Sequence, residues 1–125
     1  MARRVFSIQE AALPELPPEE RDRIYWDELR RMMLGTVRLH ERELKALGMV
    51  TLMRFGELVG DRRAIQGGAL VAEPGGTIGF EYEDGMLRVA VREFAPRLPR
   101  PLYVLQSFVH VRLSRRYFAR IASGR

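Results

Sequence analysis

The run TIGFEYEDGMLRVAVREF, residues 77–94, alternates apolar and polar residues on both sides of an Asp84-Gly85 pair. Asp-Gly is a preferred two-residue type I′ hairpin loop, because both central residues must adopt positive φ. Placing the loop there fixes the pairing: Glu83 faces Met86, Tyr82 faces Leu87, Phe80 faces Val89 and Ile78 faces Val91. On the other surface Glu81 meets Arg88 and Thr77 meets Arg92. The turn signal and the alternation, which are independent of one another, agree on one register, with an apolar face and a face carrying a complementary charge pair.

Downstream, Pro96, Pro99 and Pro101 break the strand, and Pro101 suits the first turn of a helix. Leu102, Leu105, Val109, Leu113, Tyr117 and Ile121 then recur at helical spacing, flanked by Phe108 and Phe118. Upstream, Glu73-Pro74-Gly75-Gly76 reads as a turn, and residues 64–72 read as a strand with a bulge or close backbone approach at Gly67-Gly68. Residues 49–60 fit a helix or a strand equally. From Pro18 to about Leu47 the apolar spacing is helical, starting at Pro17-Pro18-Glu19-Glu20, divided near Gly35 and ending at Gly48. Residues 1–17 form an irregular or single-stranded lead-in. The expected fold class is α+β, one domain over residues 1–125, with an antiparallel sheet of about four strands, N-terminal helices and a long C-terminal helix.

At 125 residues, with 46% hydrophobic and 30% charged residues, the chain has the make-up of one globular domain. No apolar run reaches the roughly 18–20 residues of a membrane span, and the first residues lack a secretory signal pattern, so a cytoplasmic protein is expected. Cysteine is absent, which removes disulfides, thiolate nucleophiles and thiolate metal sites. Asparagine is also absent and only Lys45 is lysine among 21 basic residues, a composition that fits a heat-adapted or GC-rich source. The net charge of +5 permits nucleic acid, anionic lipid or an acidic protein as partner, without selecting one.

The segments Val91-Arg92-Glu93-Phe94-Ala95-Pro96-Arg97, Arg100-Pro101-Leu102 and Arg112-Leu113-Ser114-Arg115-Arg116-Tyr117-Phe118-Ala119-Arg120-Ile121 resemble the end of an uncharacterised START-like (helix-grip) domain family. There a last strand leads through an arginine-containing turn into a long helix that finishes in a basic–aromatic stretch. The resemblance covers the last quarter of the chain; upstream, Gly79-Phe80-Glu81-Tyr82 only faintly matches the start of that family's Gly-Thr-Leu-Pro-Gly-His-like segment. It implies a sheet gripping the C-terminal helix, with an apolar cavity between them lined by Ile78, Phe80, Tyr82 and Val89, and with His110 able to meet a ligand. It transfers no catalytic residue and no cofactor.

The remaining chemistry is sparse. His40 and His110 stand at no metal-ligand spacing with each other or with nearby acids, so no metal site is expected. Serines 7, 107, 114 and 123 lack a nucleophile-elbow context, and no glycine pattern matches a phosphate loop. Arg112, Arg116 and Arg120 lie four apart with Arg115 alongside, a stripe able to hold an anion, or else a solvated helix face. Three readings follow: a non-enzymatic binder of an apolar or lipid-like molecule; a nucleic-acid-binding winged helix with helices at 18–34, 37–47 and 51–59; or a homo-oligomer built on the amphipathic 18–47 segment.

Overall fold

The computed structural model describes residues 3–124. The chain runs β1 (Val5–Ala12), α1 (Pro18–Met32), β2 (Val37–His40), β3 (Glu43–Ala46), β4 (Val50–Phe55), β5 (Arg62–Gly67), β6 (Val71–Glu73), β7 (Gly76–Glu83), β8 (Met86–Pro96) and α2 (Arg100–Ala122). Every pairing is antiparallel, and the sheet order is β1-β8-β7-β5-β4-β3-β2, with the short β6 attached to β8. The class is α+β with a closing C-terminal helix, but the sheet has eight strands instead of about four. No helix among the described residues is long and apolar enough to cross a membrane.

The β7–β8 hairpin has the register given by its sequence, from Glu83↔Met86 to Thr77↔Arg92. Asp84 at φ +53° and Gly85 at φ +78° make the turn. Outside, Glu81 is ringed by Arg62, Arg88 and Arg92, and the hydrogen bond from Arg92 chiefly holds its carboxyl below the usual range.

The largest departure lies in residues 33–55. Helix α1 stops at Met32, where Leu34 at φ +53° and Gly35 at φ +80° reverse the chain, and β2 and β3 form a hairpin in place of a second helix. In strands this short, Val37 and Leu39 alternate with Arg38 and His40, a pattern that three- and four-residue spacing mimics. The loop Glu41-Arg42 contains no glycine, asparagine or proline to announce it, although Glu41 takes φ +56°. Leu47-Gly48 is consequently the β3–β4 turn and not a helix end. Residues 49–72 carry β4, β5 and β6, so the helical order of a winged helix is not the one this chain adopts, nor is there a continuous 18–47 helix to build an oligomer.

The core forms where α1 and α2 cover the apolar face of the sheet. Tyr25 and Trp26 of α1 meet Phe80 of β7 at ring-centroid distances of 4.7 and 6.2 Å, and Tyr25 meets Tyr117 of α2 at 5.3 Å. Helix α1 is also tied to the sheet by charge: Arg63 of β5 donates to both carboxylate oxygens of Asp22 at 2.8 Å, and Trp26 Nε1 donates to the same carboxylate at 3.0 Å.

Helix α2 buries Leu113, Tyr117 and Ile121, as the C-terminal half of its apolar spacing foretells, and Ser114 beside them. Its N-terminal half departs from that spacing. Leu102 and Leu105 are exposed, together with Phe108, while Tyr103, Gln106, Ser107 and His110 turn inward. Residues 102–109 are apolar around most of the helix circumference, so periodicity selects no face there.

Candidate functional site

At one end of the layered core the aromatic packing gives way to a cavity of about 210 Å³. Its walls come from every layer. Ser7 and Val5 contribute from β1, Tyr25, Trp26 and Leu29 from α1, and Leu52 and Phe55 from β4. Ile78 of β7 and Val91 of β8 form the facing pair of the hairpin, and Gln106, Ser107, Val109 and His110 close the space from α2. None of the described residues lining it carries a formal charge.

The polar atoms of the cavity are few and specific. The Tyr25 hydroxyl lies 3.1 Å from His110 Nδ1. Burial raises the Tyr25 phenol well above its ordinary pKa, so it keeps its proton, and burial lowers the His110 imidazole to about 4, so the ring is neutral near pH 7. Among the described residues the buried Tyr25 O–H has no other acceptor. The direction of this bond follows the tautomer of the ring: with the proton on Nε2 the phenol donates to Nδ1, and with it on Nδ1 the ring donates to the phenol oxygen. That Nε2 atom is itself buried without a protein partner among the described residues, as is Gln106 Oε1 one helical turn earlier. Gln106 and His110 stand four apart, on one face of α2. Two other buried nitrogens without a partner, Nε and Nη1, belong to Arg21, which does not line this space.

Of the residues expected at a ligand site, Ile78 and His110 line the cavity. Phe80 and Val89 do not: both are fully buried in the packed aromatic part of the core. Tyr82 sits farther along the hairpin and donates from its hydroxyl to the Leu13 carbonyl at 2.8 Å. Gln106 and Tyr25 belong to the site but were not singled out by sequence reasoning. The signal for Gln106 was available, since it stands four residues before His110. Tyr25 is 85 residues from His110, and only the fold joins them.

The arginine stripe of α2 is divided. Arg116 donates to Glu28 at 2.9 Å and Arg120 to Asp27 at 2.7 Å, so these two clamp α2 to α1. Arg112 and Arg115 are exposed. No cluster of metal-ligating side chains occurs among the described residues. Comparison with protein-family models, with curated proteins and with solved structures returns no match.

Proposed function

We propose that this chain is a non-enzymatic binding domain of START-like, helix-grip type that holds a small apolar molecule between its sheet and its C-terminal helix. The observation that supports the reading is the uncharged cavity under α2, in a core otherwise filled by interlocking rings. Protein interiors are packed to crystal-like density, and a void of this size forgoes contacts that a guest would restore. Its volume of about 210 Å³ sets the scale of the guest. Drug-sized ligands occupy roughly 300–1,000 Å³, whereas an apolar cavity of about 150 Å³ accepts benzene. A one-ring or short-chain compound matches; a whole membrane lipid does not.

Thermal unfolding in the presence of one-ring aromatic and eight-carbon aliphatic compounds tests the proposal, because a ligand that binds only the folded state raises the midpoint with concentration. Val91→Trp, which fills the space opposite Ile78, should abolish the shift while far-ultraviolet circular dichroism stays native. Absence of any midpoint shift at millimolar concentrations of every compound would refute the reading.

A further inference from the structure

We infer that the outward face of α2 docks on an anionic lipid bilayer, its apolar side chains entering the headgroup region and its unpaired arginines meeting the acidic headgroups. Docking there goes beyond the binding function proposed above and is independent of what the cavity holds. The attachment is peripheral, since no helix among the described residues is long and apolar enough to cross a membrane.

Charge is segregated along this chain. All 16 acidic residues lie at or before Glu93, and residues 94–125 hold seven arginines and no acid. Two of those arginines are engaged within the fold, Arg116 with Glu28 and Arg120 with Asp27. Arg97, Arg100, Arg112 and Arg115 are exposed and have no ion-pair partner among the described residues. The start of α2 adds to this excess. Helix α1 carries Glu19 and Glu20 in its first turn, where the helix dipole is positive, whereas the first turn of α2 has no acid and begins at Arg100. An external anionic surface relieves both imbalances.

Between these arginines the same face is apolar. Val104, Leu105 and Phe108 are 61%, 59% and 64% exposed, and Leu102 extends the patch along the first turn. Leu105, Phe108, Arg112 and Arg115 follow one another in three- and four-residue steps, on the side of α2 away from Tyr103, Ser107 and His110, which line the cavity. From Arg100 to Arg112 the helix rises about 18 Å, so guanidinium groups at both ends can stay at headgroup level while the apolar middle rests below them. Other partners match this face less well. Nucleic acid would meet the arginines and leave the apolar side chains in water. A second copy meeting α2 against α2 would bring two sets of unpaired arginines together with no carboxylate on either side.

Flotation of the full chain with vesicles of phosphatidylcholine alone, or with about 30% phosphatidylserine added, at about 0.1 M salt tests the assignment. Binding should be at least about tenfold stronger to the anionic vesicles. Arg112→Gln combined with Arg115→Gln should weaken it about twentyfold, at roughly fivefold for each arginine. Leu105→Ser combined with Phe108→Ser should weaken it by at least about tenfold, because charge alone does not hold the helix in the interface. All four positions are exposed, so the far-ultraviolet circular dichroism of both variants should match wild type. Failure of the wild-type chain to float with anionic vesicles, equal binding to both vesicle types, or unchanged binding in the serine variant overturns the proposal. A dimer in sedimentation velocity that the serine variant dissociates also overturns it, by giving the same face to a second copy of the chain.

Discussion

Lowering the pH below neutrality should destabilise this protein through one residue, His110. Burial moves its pKa from 6.5 to about 4 in the folded chain. Between those values the unfolded chain binds a proton at this position and the folded chain does not. Stability is therefore complete above about pH 6.5 and declines as the pH falls toward 4, where the folded ring begins to protonate as well. The full loss across that window is about 3 kcal/mol, at roughly 1.4 kcal/mol for each unit of displacement. Carboxylates act in a different window. Asp27, held down chiefly by the hydrogen bond from Arg30, and Glu81, held down chiefly by that from Arg92, keep their contribution until the pH drops through their ordinary values of 3.8 and 4.5 and below. Urea unfolding midpoints at intervals from pH 7.5 to 5 thus isolate the histidine. His110→Leu strands the Tyr25 hydroxyl and should cost about 1–3 kcal/mol at pH 7.5, yet its stability should be nearly flat down to pH 5. Parallel pH slopes for wild type and variant would refute the reasoning.

Three further outcomes test other parts of the structure. Arg63→Met should destabilise the fold by about 3–5 kcal/mol in chemical denaturation, since it leaves the Asp22 carboxylate buried beside Trp26 without its counter-ion; a change below about 1 kcal/mol would show that solvent reaches this pair. Gly68→Ala should cost about 3 kcal/mol or more, because the backbone has φ +119° and the new methyl would lie 2.5 Å from the Leu52 carbonyl oxygen. The double variant Arg112→Gln, Arg115→Gln should stay within about 0.5 kcal/mol of wild type, as both side chains are exposed. Electrophoresis of duplex DNA with wild type and double variant at about 50 mM salt tests the nucleic-acid alternative, which requires a wild-type shift that weakens in the variant.

How much of the molecule was readable from its residues depended on whether local signals were complete. Asp84-Gly85 supplied the turn and the flanking alternation supplied the faces, so the β7–β8 register needed no tertiary information. Pro17-Pro18-Glu19-Glu20 marked the start of α1 for equally local reasons. Glu41-Arg42 carries no turn residue, and Val37, His40 and Leu44 stand three and four apart in sequence, a helical step, although they lie on the paired strands β2 and β3. Tertiary pairing of β3 with β4 decides that segment, and pairing partners are not visible in a single strand. The site followed the same rule. His110 and Ile78 could be nominated from position alone, whereas Phe80 is drawn into the aromatic cluster by Tyr25 and Tyr117, residues distant in sequence, and Val89, its partner across the hairpin, is fully buried with it. The division of the arginine stripe was hidden likewise, because Glu28 and Asp27 lie on another helix.

The place of β1 in the sheet has a consequence for how the chain reaches its native state. β1 pairs with β8, matching Val5 to Phe94 and Ala12 to Met86. During synthesis from the N-terminus, residues 5–12 therefore wait until residues 86–94 have emerged. At ordinary translation speeds of about 5–20 residues per second that interval lasts several seconds, far longer than a hairpin takes to form. The β7–β8 hairpin closes early by its own turn, and β1 joins it across the longest loop in the sheet, which delays completion of the cavity wall that Val5 and Ser7 provide. Until that moment the apolar Phe6 and Ile8, which stay exposed even in the finished fold, lie on an unpaired strand open to neighbouring chains.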